Sequence, residues 1–280
     1  MPDLISKDQY CTNDRSIVEC NVQMRDILYY AGSNNLSGAI INLDWEKAFD
    51  RVSWEFLVKI MRKLGFSPFI IKWLMTLYND ISSSCLINGY ISREFKIQRG
   101  VRQGCPLSMI AYVIFQEPLY LAIEKSNNIK PLDLPCKPVK KIGYADDTTL
   151  FVKDEDSFIE VFSIINDFER ATNSKININK TKLYGLGEWK GRVHWPIDGL
   201  KIEVDHFTTL GITFSCDYDL ALNYSWRKIC DNIKTKICIM SSRYLTIYQR
   251  AIIINSVISS KLWFMAHVYP FPVQYSKMIN

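Results

Sequence analysis

The sequence predicts an α+β fold, in which strands and helices are mixed up to about residue 214 and only helices follow. The first observation is that short apolar or alternating runs, typical of strands, interleave with segments of helical spacing. The second is that the C-terminal region shows helical spacing alone. The 280 residues are 48% hydrophobic and 22% charged, which suits a large buried core and excludes a disordered chain.

Cysteine and histidine usage narrows the class of protein further. The chain has eight cysteines and three histidines, and no two cysteines form a CxxC pair. This pattern argues against a zinc site and against a disulfide scaffold, and it indicates a reducing compartment. The segment MPDLISKDQY at the start has no signal-peptide pattern.

The N-terminal half begins with a predicted helix at residues 16–31, where apolar side chains recur at helical spacing. Residues 38–44 form a short apolar run and predict a buried strand that ends at Asp44. Two helices are predicted next, at about 53–65 and 68–79, because the first has a serine cap and the second begins with a proline.

The middle of the chain contains a predicted β-hairpin and a long helix. The hairpin, at about 83–97, centres on Asn88-Gly89, the pair preferred in a type I′ turn. Residues 106–125 indicate a long buried helix that Pro118 should kink or divide in two.

The later elements follow from the same periodicities. Residues 139–153 predict a strand, a tight polar turn and a second strand, and residues 156–171 have one apolar helical face. Further strands are predicted over 174–185 and 206–214. Two helices are expected to end the chain, at about 226–240 and 247–266.

The net charge of +5 is unevenly distributed along the chain. Residues 219–280 contain eight Lys or Arg and two Asp, a net charge of +6, so the first 218 residues sum to −1. Such asymmetry suggests an acidic chemical centre and a basic arm suited to a polyanion. A solvated helix face is the simpler explanation of the basic arm, and charge alone favours it.

Three aspartates follow predicted strands. Asp44 ends one strand, and Asp146 and Asp147 occupy the turn between two others. If these strands are neighbours in one sheet, the three carboxylates meet at one edge, where they repel one another. A divalent ion such as Mg²⁺ relieves this repulsion and takes substrate phosphates as further ligands. Taken singly, an Asp-Asp pair in a turn is more often ordinary turn chemistry.

The joint pattern of three motifs resembles a known family. INLDWEKAFDRV at 41–52 resembles reverse-transcriptase motif A, RGVRQGCPLSM at 99–109 resembles motif B, and YADDTTLF at 144–151 resembles motif C. They occur in the family's order and at its spacing. Their amino-acid sequences are similar to those of the reverse transcriptase domain of non-LTR (LINE-type) retrotransposons.

The resemblance extends beyond these motifs and implies the architecture. KININKTK at 175–182 resembles motif D, FTTLGITF at 207–214 resembles the segment under the primer end, and residues 247–272 resemble thumb helices. The implied fold is a right-hand polymerase palm with a mostly antiparallel sheet, partial fingers and a helical thumb. Its implied parts are residual fingers and a connecting helix at 1–37, a palm at 38–214 with finger-side helices and hairpin at about 53–98, and a thumb at 215–280.

The family's metal chemistry can be carried over residue by residue. Asp44, Asp146 and Asp147 match its metal-binding triad, with Asp44 and Asp146 as direct ligands and Asp147 as a more distant one. The backbone carbonyl of Trp45 is a further expected metal contact. The implied reaction is two-metal nucleotidyl transfer from a dNTP to a primer 3′-OH, with Mg²⁺ as the ion and Mn²⁺ as an alternative.

Five residues match substrate-binding positions of the family. Phe49 matches the aromatic position that excludes a ribose 2′-OH, although a ring at that place could also be ordinary core packing. Gln103 and Gly104 are expected to face the incoming nucleotide and the template base. Arg99 and Arg102 are candidate phosphate contacts, or simply solvated side chains.

Lys180 matches the motif D lysine that could protonate the pyrophosphate leaving group, with Lys175 and Lys182 as competing candidates. Other positions depart from the family's usual residues. Asp14 stands at a usual glycine, Met109 at a usual proline, and Thr208-Thr209 at a usual basic-aromatic pair.

The implied partners are an RNA template, a DNA primer and a dNTP, with no membrane, and a nuclear location is expected. The upstream finger strands and the endonuclease region of a parent element are expected to lie outside this sequence. The alternative function is a catalytically silent truncated remnant that acts at most as a nucleic-acid-binding module. An RNA-dependent RNA polymerase or intron maturase fits less well, because Phe49 argues against ribonucleotides as substrates and the sequence of motif B resembles that of LINE-type elements.

Overall fold

The computed structural model describes residues 4–12, 14–135 and 137–275. Its strands are β1 (Gly38–Leu43), β2 (Ser82–Ser83), β3 (Leu86–Ile87), β4 (Tyr90–Ile91), β5 (Phe95–Lys96), β6 (Lys141–Tyr144), β7 (Asp147–Val152), β8 (Lys182–Leu186), β9 (Lys201–Glu203), β10 (Phe207–Thr209) and β11 (Ile212–Phe214). Its helices are α1 (Ile17–Ser33), α2 (Trp54–Lys63), α3 (Pro68–Thr76), α4 (Pro106–Lys125), α5 (Glu155–Thr172), α6 (Tyr218–Ser241), α7 (Ile247–Ile253) and α8 (Ser260–Ala266).

A five-stranded sheet with the order β6-β7-β1-β8-β9 is the framework of the fold. Its pairings are antiparallel except that of β8 with β9, which is parallel. Strand β1 lies at the centre, and all six of its residues are buried. This position explains why the run GAIINL is almost continuously apolar rather than alternating with polar residues.

Helices cover both faces of this sheet. The side chains of Ala39, Ile41 and Leu43 belong to a core shared with α2, α4 and α5. Ile40, the residue between them, belongs to a second core with α1, the β10–β11 hairpin and α6. Because successive residues of a strand point to opposite faces, β1 contributes to both cores, as do its neighbours β7 and β8. At the end of the sheet where β1 and β7 meet the loops, the side chains are polar.

Local sequence signals account for the ends of several helices. Ser53 caps α2, as predicted, and Ser16 and Glu19 form a capping box at the start of α1, which was not predicted. In the predicted hairpin, Asn88 and Gly89 both have positive φ angles, of 49° and 85°, which a type I′ turn requires. The hairpin prediction is therefore confirmed, as two short ladders, β2 with β5 and β3 with β4.

Three local predictions were wrong. Helix α4 continues through Pro118 as one helix, so the alternative of two separate helices was wrong; most of the residues around Pro118 are buried, and this packing offsets the lost hydrogen bond. Residues 206–214, predicted as one strand, form the β10–β11 hairpin, in which Leu210 adopts a positive φ of 48°. Residues 177–180 form a turn, so that the predicted strand begins only at Lys182, and β9 was not predicted.

The C-terminal helices form a continuous helical stretch from residue 247 to 266, as predicted, with a π-helical turn at Ile254–Ser259 between α7 and α8. Within the described residues, α4 has the length and mean hydropathy of a membrane span, and 61% of that window is buried inside the fold. Its place in the core accounts for its apolar composition.

Candidate active site

The three predicted aspartates lie at one edge of the central sheet. In the antiparallel pairing of β1 with β7, Leu43 is opposite Thr148, so the next position brings Asp44 opposite Asp147. Asp146 belongs to the tight turn between β6 and β7, where Tyr144 pairs with Asp147. All three side chains are partly buried. The structure therefore brings together residues that are about a hundred positions apart in sequence.

The electrostatics of this edge disfavour three negative charges. Burial and repulsion by Asp146 raise the pKa of Asp147 to about 6; Lys182 opposes this shift, and Asp44 adds a smaller repulsion. Burial also raises the pKa of Asp146, to which Asp44 adds by repulsion. A bound cation would reverse both effects, because it favours the ionised carboxylates.

The donor set at this edge fits a hard divalent cation that also binds water and substrate. Within the described ranges, no three His, Cys, Asp or Glu side chains form a ready-made cage for a metal ion. Mg²⁺ does not need such a cage, since it is commonly held by one or two carboxylates, waters and substrate phosphates. Carboxylate oxygens are also the ligands that Mg²⁺ prefers over soft metals.

Asp44 and Trp45 are held in place by the segment that resembles motif D. The backbone N–H of Asn177 donates to the carbonyl of Asp44 at 2.7 Å, and that of Glu46 donates to the carbonyl of Lys175 at 2.8 Å. The N–H of Asp44 in turn donates to the hydroxyl of Thr181 at 3.3 Å. These bonds continue the sheet past the end of β1 and give Asp44 a defined backbone.

The candidate lysines have different surroundings. Lys180 and Lys175 are exposed, whereas Lys182 is half-buried on β8 and donates a hydrogen bond to the carbonyl of Thr208. Burial lowers the pKa of Lys182, and this shift is opposed mainly by Glu203 and to a smaller extent by Asp147 and Asp44. Lys182 therefore interacts electrostatically with the carboxylates, although Lys180 was the first candidate for the motif D lysine.

Phe49 lies in a short 3-10 helix, Ala48–Arg51, directly after the Asp44 segment. Its ring is partly buried and lies 4.8 Å from that of Tyr112 on α4. The carbonyl of Phe49 accepts from the N–H of Val101 at 2.8 Å. A Cβ atom at Gly100 would lie 2.9 Å from the carbonyl oxygen of Asp50, so a glycine is required where motif B approaches motif A.

The remaining predicted substrate contacts lie on the loop before α4. Arg99, Arg102, Gln103 and Gly104 are exposed, next to the buried Val101. Gly104 has a φ of +82°, and nothing lies within 4 Å of where its Cβ atom would be. The loop therefore presents these residues to solvent, and the N–H of Val101 connects it to the Phe49 segment.

Two functional candidates were missed in the sequence. Gln9 and Gln116 are each 1% exposed, and both lie beside Ala145, the residue before Asp146. The signal for Gln116 was a polar residue inside the apolar run of α4. Gln9 gave no signal, because its segment has no clear periodicity.

Residues 4–214 match the family described as reverse transcriptase (RNA-dependent DNA polymerase). The chain is 28% identical over 277 residues to the transposon TX1 uncharacterized 149 kDa protein of Xenopus laevis, covering 94% of this chain and 20% of that protein. It is 25% identical over 189 residues to the Pol polyprotein of the type-1 retrotransposable element R2 of Popillia japonica, covering 63% and 30%. The chain thus spans less than a third of either relative.

Solved structures support the fold. Telomerase of Candida albicans in complex with a fragment of telomeric RNA superimposes with a TM-score of 0.53 at 12% identity, covering 98% of this chain and 50% of that one. Apo telomerase of Candida tropicalis gives a TM-score of 0.52 at 14% identity, covering 75% and 40%. The predicted α+β right-hand polymerase fold with a mostly antiparallel sheet is confirmed.

We expect the raised pKa of Asp147 to link stability to pH and to metal. The folded protein holds the proton of Asp147 more tightly than the unfolded chain does. Protonated Asp147 therefore adds to the free energy of unfolding fully below about pH 4, and this contribution is lost as pH rises through about 6. Thermal unfolding should therefore show that Mg²⁺ stabilises the protein more at pH 7.5 than at pH 5.

The control variant is Asp147→Asn, which removes the titrating group but keeps its shape. It should unfold at a higher temperature than the metal-free wild type at pH 7.5 and respond less to Mg²⁺. An equal response to Mg²⁺ at both pH values would contradict the electrostatic account.

Proposed function

We propose that this chain, which belongs to the reverse transcriptase (RNA-dependent DNA polymerase) family, carries the nucleotidyl-transfer centre of a non-LTR retrotransposon protein. The observation that carries this proposal is the meeting of Asp44, Asp146 and Asp147 at one edge of the sheet, with mutual repulsion that a divalent cation would relieve. The whole reaction is DNA synthesis from dNTPs on an RNA template, from a DNA primer.

Asp44 and Asp146 would hold two Mg²⁺ ions, with Asp147 close by and the carbonyl of Trp45 as a further ligand. The ions would activate the primer hydroxyl and stabilise the leaving oxygen. The protein's own contribution is to fix the carboxylates: β1 and β7 hold their backbones in register, and the hydrogen bonds to residues 175–181 brace the Asp44 side.

The nucleotide would lie between the carboxylate edge and the loop before α4. Gln103 and Gly104 would approach the base and backbone of the nucleotide, and Arg102 and Arg99 would contact phosphates. Phe49 would select deoxyribose by occupying the space of a 2′-OH. Support for this arrangement comes from the backbone bond between Phe49 and Val101, which ties the two candidate contacts into one unit.

Protonation of the pyrophosphate leaving group is assigned to Lys180, which is exposed and therefore free to approach a phosphate. Lys182 has a separate part in this proposal. Its half-buried ammonium group partly compensates the charge of Asp147 and Asp44 before any cation binds.

The division into residual fingers at 1–37, palm at 38–214 and thumb at 215–280 is part of the same proposal. The exposed basic residues of the thumb, among them Arg227, Lys234 and Arg250, would contact the phosphates of a primer-template duplex. The acidic centre and the basic thumb would then act on different parts of one substrate.

Primer extension on an RNA template tests the catalytic assignment. Asp44→Asn or Asp146→Asn should reduce incorporation by on the order of 10³-fold, because either change removes a ligand of the ions that stabilise the transition state. Asp50→Asn, at an exposed carboxylate of the same motif, is the matched control and should retain activity.

If the triad variants extended a primer as well as the wild type does, the catalytic proposal would fail. A wild-type chain that binds duplex but never extends a primer would favour the alternative of a catalytically silent nucleic-acid-binding remnant.

Replacing Phe49 should alter sugar selection. Phe49→Val is expected to raise incorporation of ribonucleotides relative to deoxyribonucleotides, because the ring no longer occupies the space of the 2′-OH. Competition between dNTP and rNTP in single-nucleotide extension measures the ratio. Phe56→Val is the matched control, since Phe56 packs in the same core, 5.5 Å from Phe115. Equal selectivity in the two variants would mean that Phe49 only fills the core.

The basic thumb should make duplex binding strongly dependent on salt. Each phosphate that the protein neutralises contributes about 0.9 to the slope of log affinity against log salt. Charge reversal at Arg227, Lys234 or Arg250 should weaken all sequences about equally, as measured by fluorescence anisotropy. Arg170→Glu, at an exposed position on α5, serves as the control. If duplex affinity did not change with salt, the basic residues would be no more than a solvated helix face.

A further inference from the structure

We propose that Gln116 and Gln9 are positioning residues that set the spacing between the Asp44 strand end and the turn that carries Asp146 and Asp147. This inference rests on the proposed function, because the spacing matters only if the three carboxylates hold metal ions together. Neither glutamine would touch a substrate or a metal. Both would act through the backbone of Ala145, the residue before Asp146.

Gln116 links all three carboxylate positions through their neighbours. In the amide orientation in which both ends find partners, its Nε2 donates to the carbonyl of Ala145 at 2.8 Å. Its Oε1 accepts from the indole Nε1 of Trp45 at 3.3 Å and from the hydroxyl of Thr148 at 3.0 Å. One side chain thus contacts the residue after Asp44, the residue before Asp146 and the residue after Asp147.

Gln9 holds the other side of Ala145. Its Oε1 accepts from the N–H of Ala145 at 3.2 Å and from the N–H of Cys11 at 3.1 Å. The segment around Gln9 is itself attached to β6, because the N–H of Tyr10 donates to the carbonyl of Gly143 at 2.7 Å. The amide N–H and the carbonyl of Ala145 are therefore both bound by buried glutamine side chains.

The backbone of Ala145 explains why two such bonds are needed. Its φ angle of +54° lies in the left-handed region, which is unfavourable for a residue with a Cβ atom. Such a conformation persists only where the surroundings determine it. A change at this residue would redirect Asp146, and repulsion between Asp146 and Asp44 favours such a movement when no cation is bound.

A purely structural role predicts a different result from a positioning role. Removing either glutamine leaves buried polar groups of Ala145 without a partner, so some loss of stability is expected under both explanations. Only the positioning role predicts that metal affinity falls while the fold is retained. The decisive measurement is therefore metal binding by the folded, full-length chain, independent of catalysis.

The test measures binding of Mn²⁺ by the electron paramagnetic resonance signal of the free ion. Gln116→Leu should keep the circular dichroism spectrum of the wild type and weaken Mn²⁺ binding by about 10-fold or more, the effect typical of residues that orient metal ligands. Asn21→Leu is the matched control: it also replaces a buried amide, and neither polar atom of Asn21 has a hydrogen-bond partner among the described residues. Its Mn²⁺ affinity should equal that of the wild type.

A double-mutant cycle tests whether Gln116 affects Mn²⁺ binding through its hydrogen bond with Trp45. Trp45→Phe removes the indole N–H that Gln116 accepts and keeps an aromatic ring beside Phe168. This variant alone should weaken Mn²⁺ binding. It should add little in the background of Gln116→Leu, because the same hydrogen bond is already absent.

The outcomes separate this inference from the proposed function. If Asp44→Asn with Asp146→Asn leaves Mn²⁺ binding unchanged, the proposed function fails at its metal site. If those variants abolish binding but Gln116→Leu binds as the wild type does, the function stands and the positioning role is overturned. Should Gln116→Leu not fold, Gln9→Met carries the same test, because it removes the acceptor for the N–H of Ala145.

Discussion

Three carboxylates repel one another at one edge of the sheet, and the residues around them hold them together against this repulsion. Asp44, Asp146 and Asp147 are partly buried, and burial makes their charges costly. The surrounding residues limit this cost in two ways. Lys182 supplies a nearby positive charge, and rigid backbone pairing prevents the strand ends from separating.

The central sheet provides that rigidity because it is buried on both faces. Side chains of β1 alternate between two cores, so its position is determined by α2, α4 and α5 on one side and by α1 and α6 on the other. On the second face, a buried amide links three strands: Asn42 on β1 donates to Thr149 on β7 at 2.9 Å and to Thr209 on β10 at 3.1 Å. The β10–β11 hairpin is thereby attached close to the carboxylate edge.

The uneven charge of the chain is consistent with one polyanionic substrate. A carboxylate cluster repels phosphates unless cations are present, whereas the exposed lysines and arginines of α6 attract them over several ångströms of solvent. In the proposed function, binding energy would come from the basic C-terminal region, and the reaction at the carboxylate edge would depend on metal. The family match, which ends at residue 214, does not include this basic region.

Residues close together in the chain were enough to identify the three motifs and to predict most helices, the Asn88-Gly89 turn and the strands that lead to the aspartates. The pairing of β1 with β7, which brings the carboxylates to one edge, and the surroundings of that edge depend on contacts between segments that are distant in sequence. Gln9 lies 136 positions from Ala145, and whether the two meet depends on which segment pairs with β6. Lys182 likewise became a neighbour of Asp147 through the pairing of β8 with β1. Periodicity indicates which face a side chain occupies, whereas hydrogen bonds between distant segments depend on how those faces pack together.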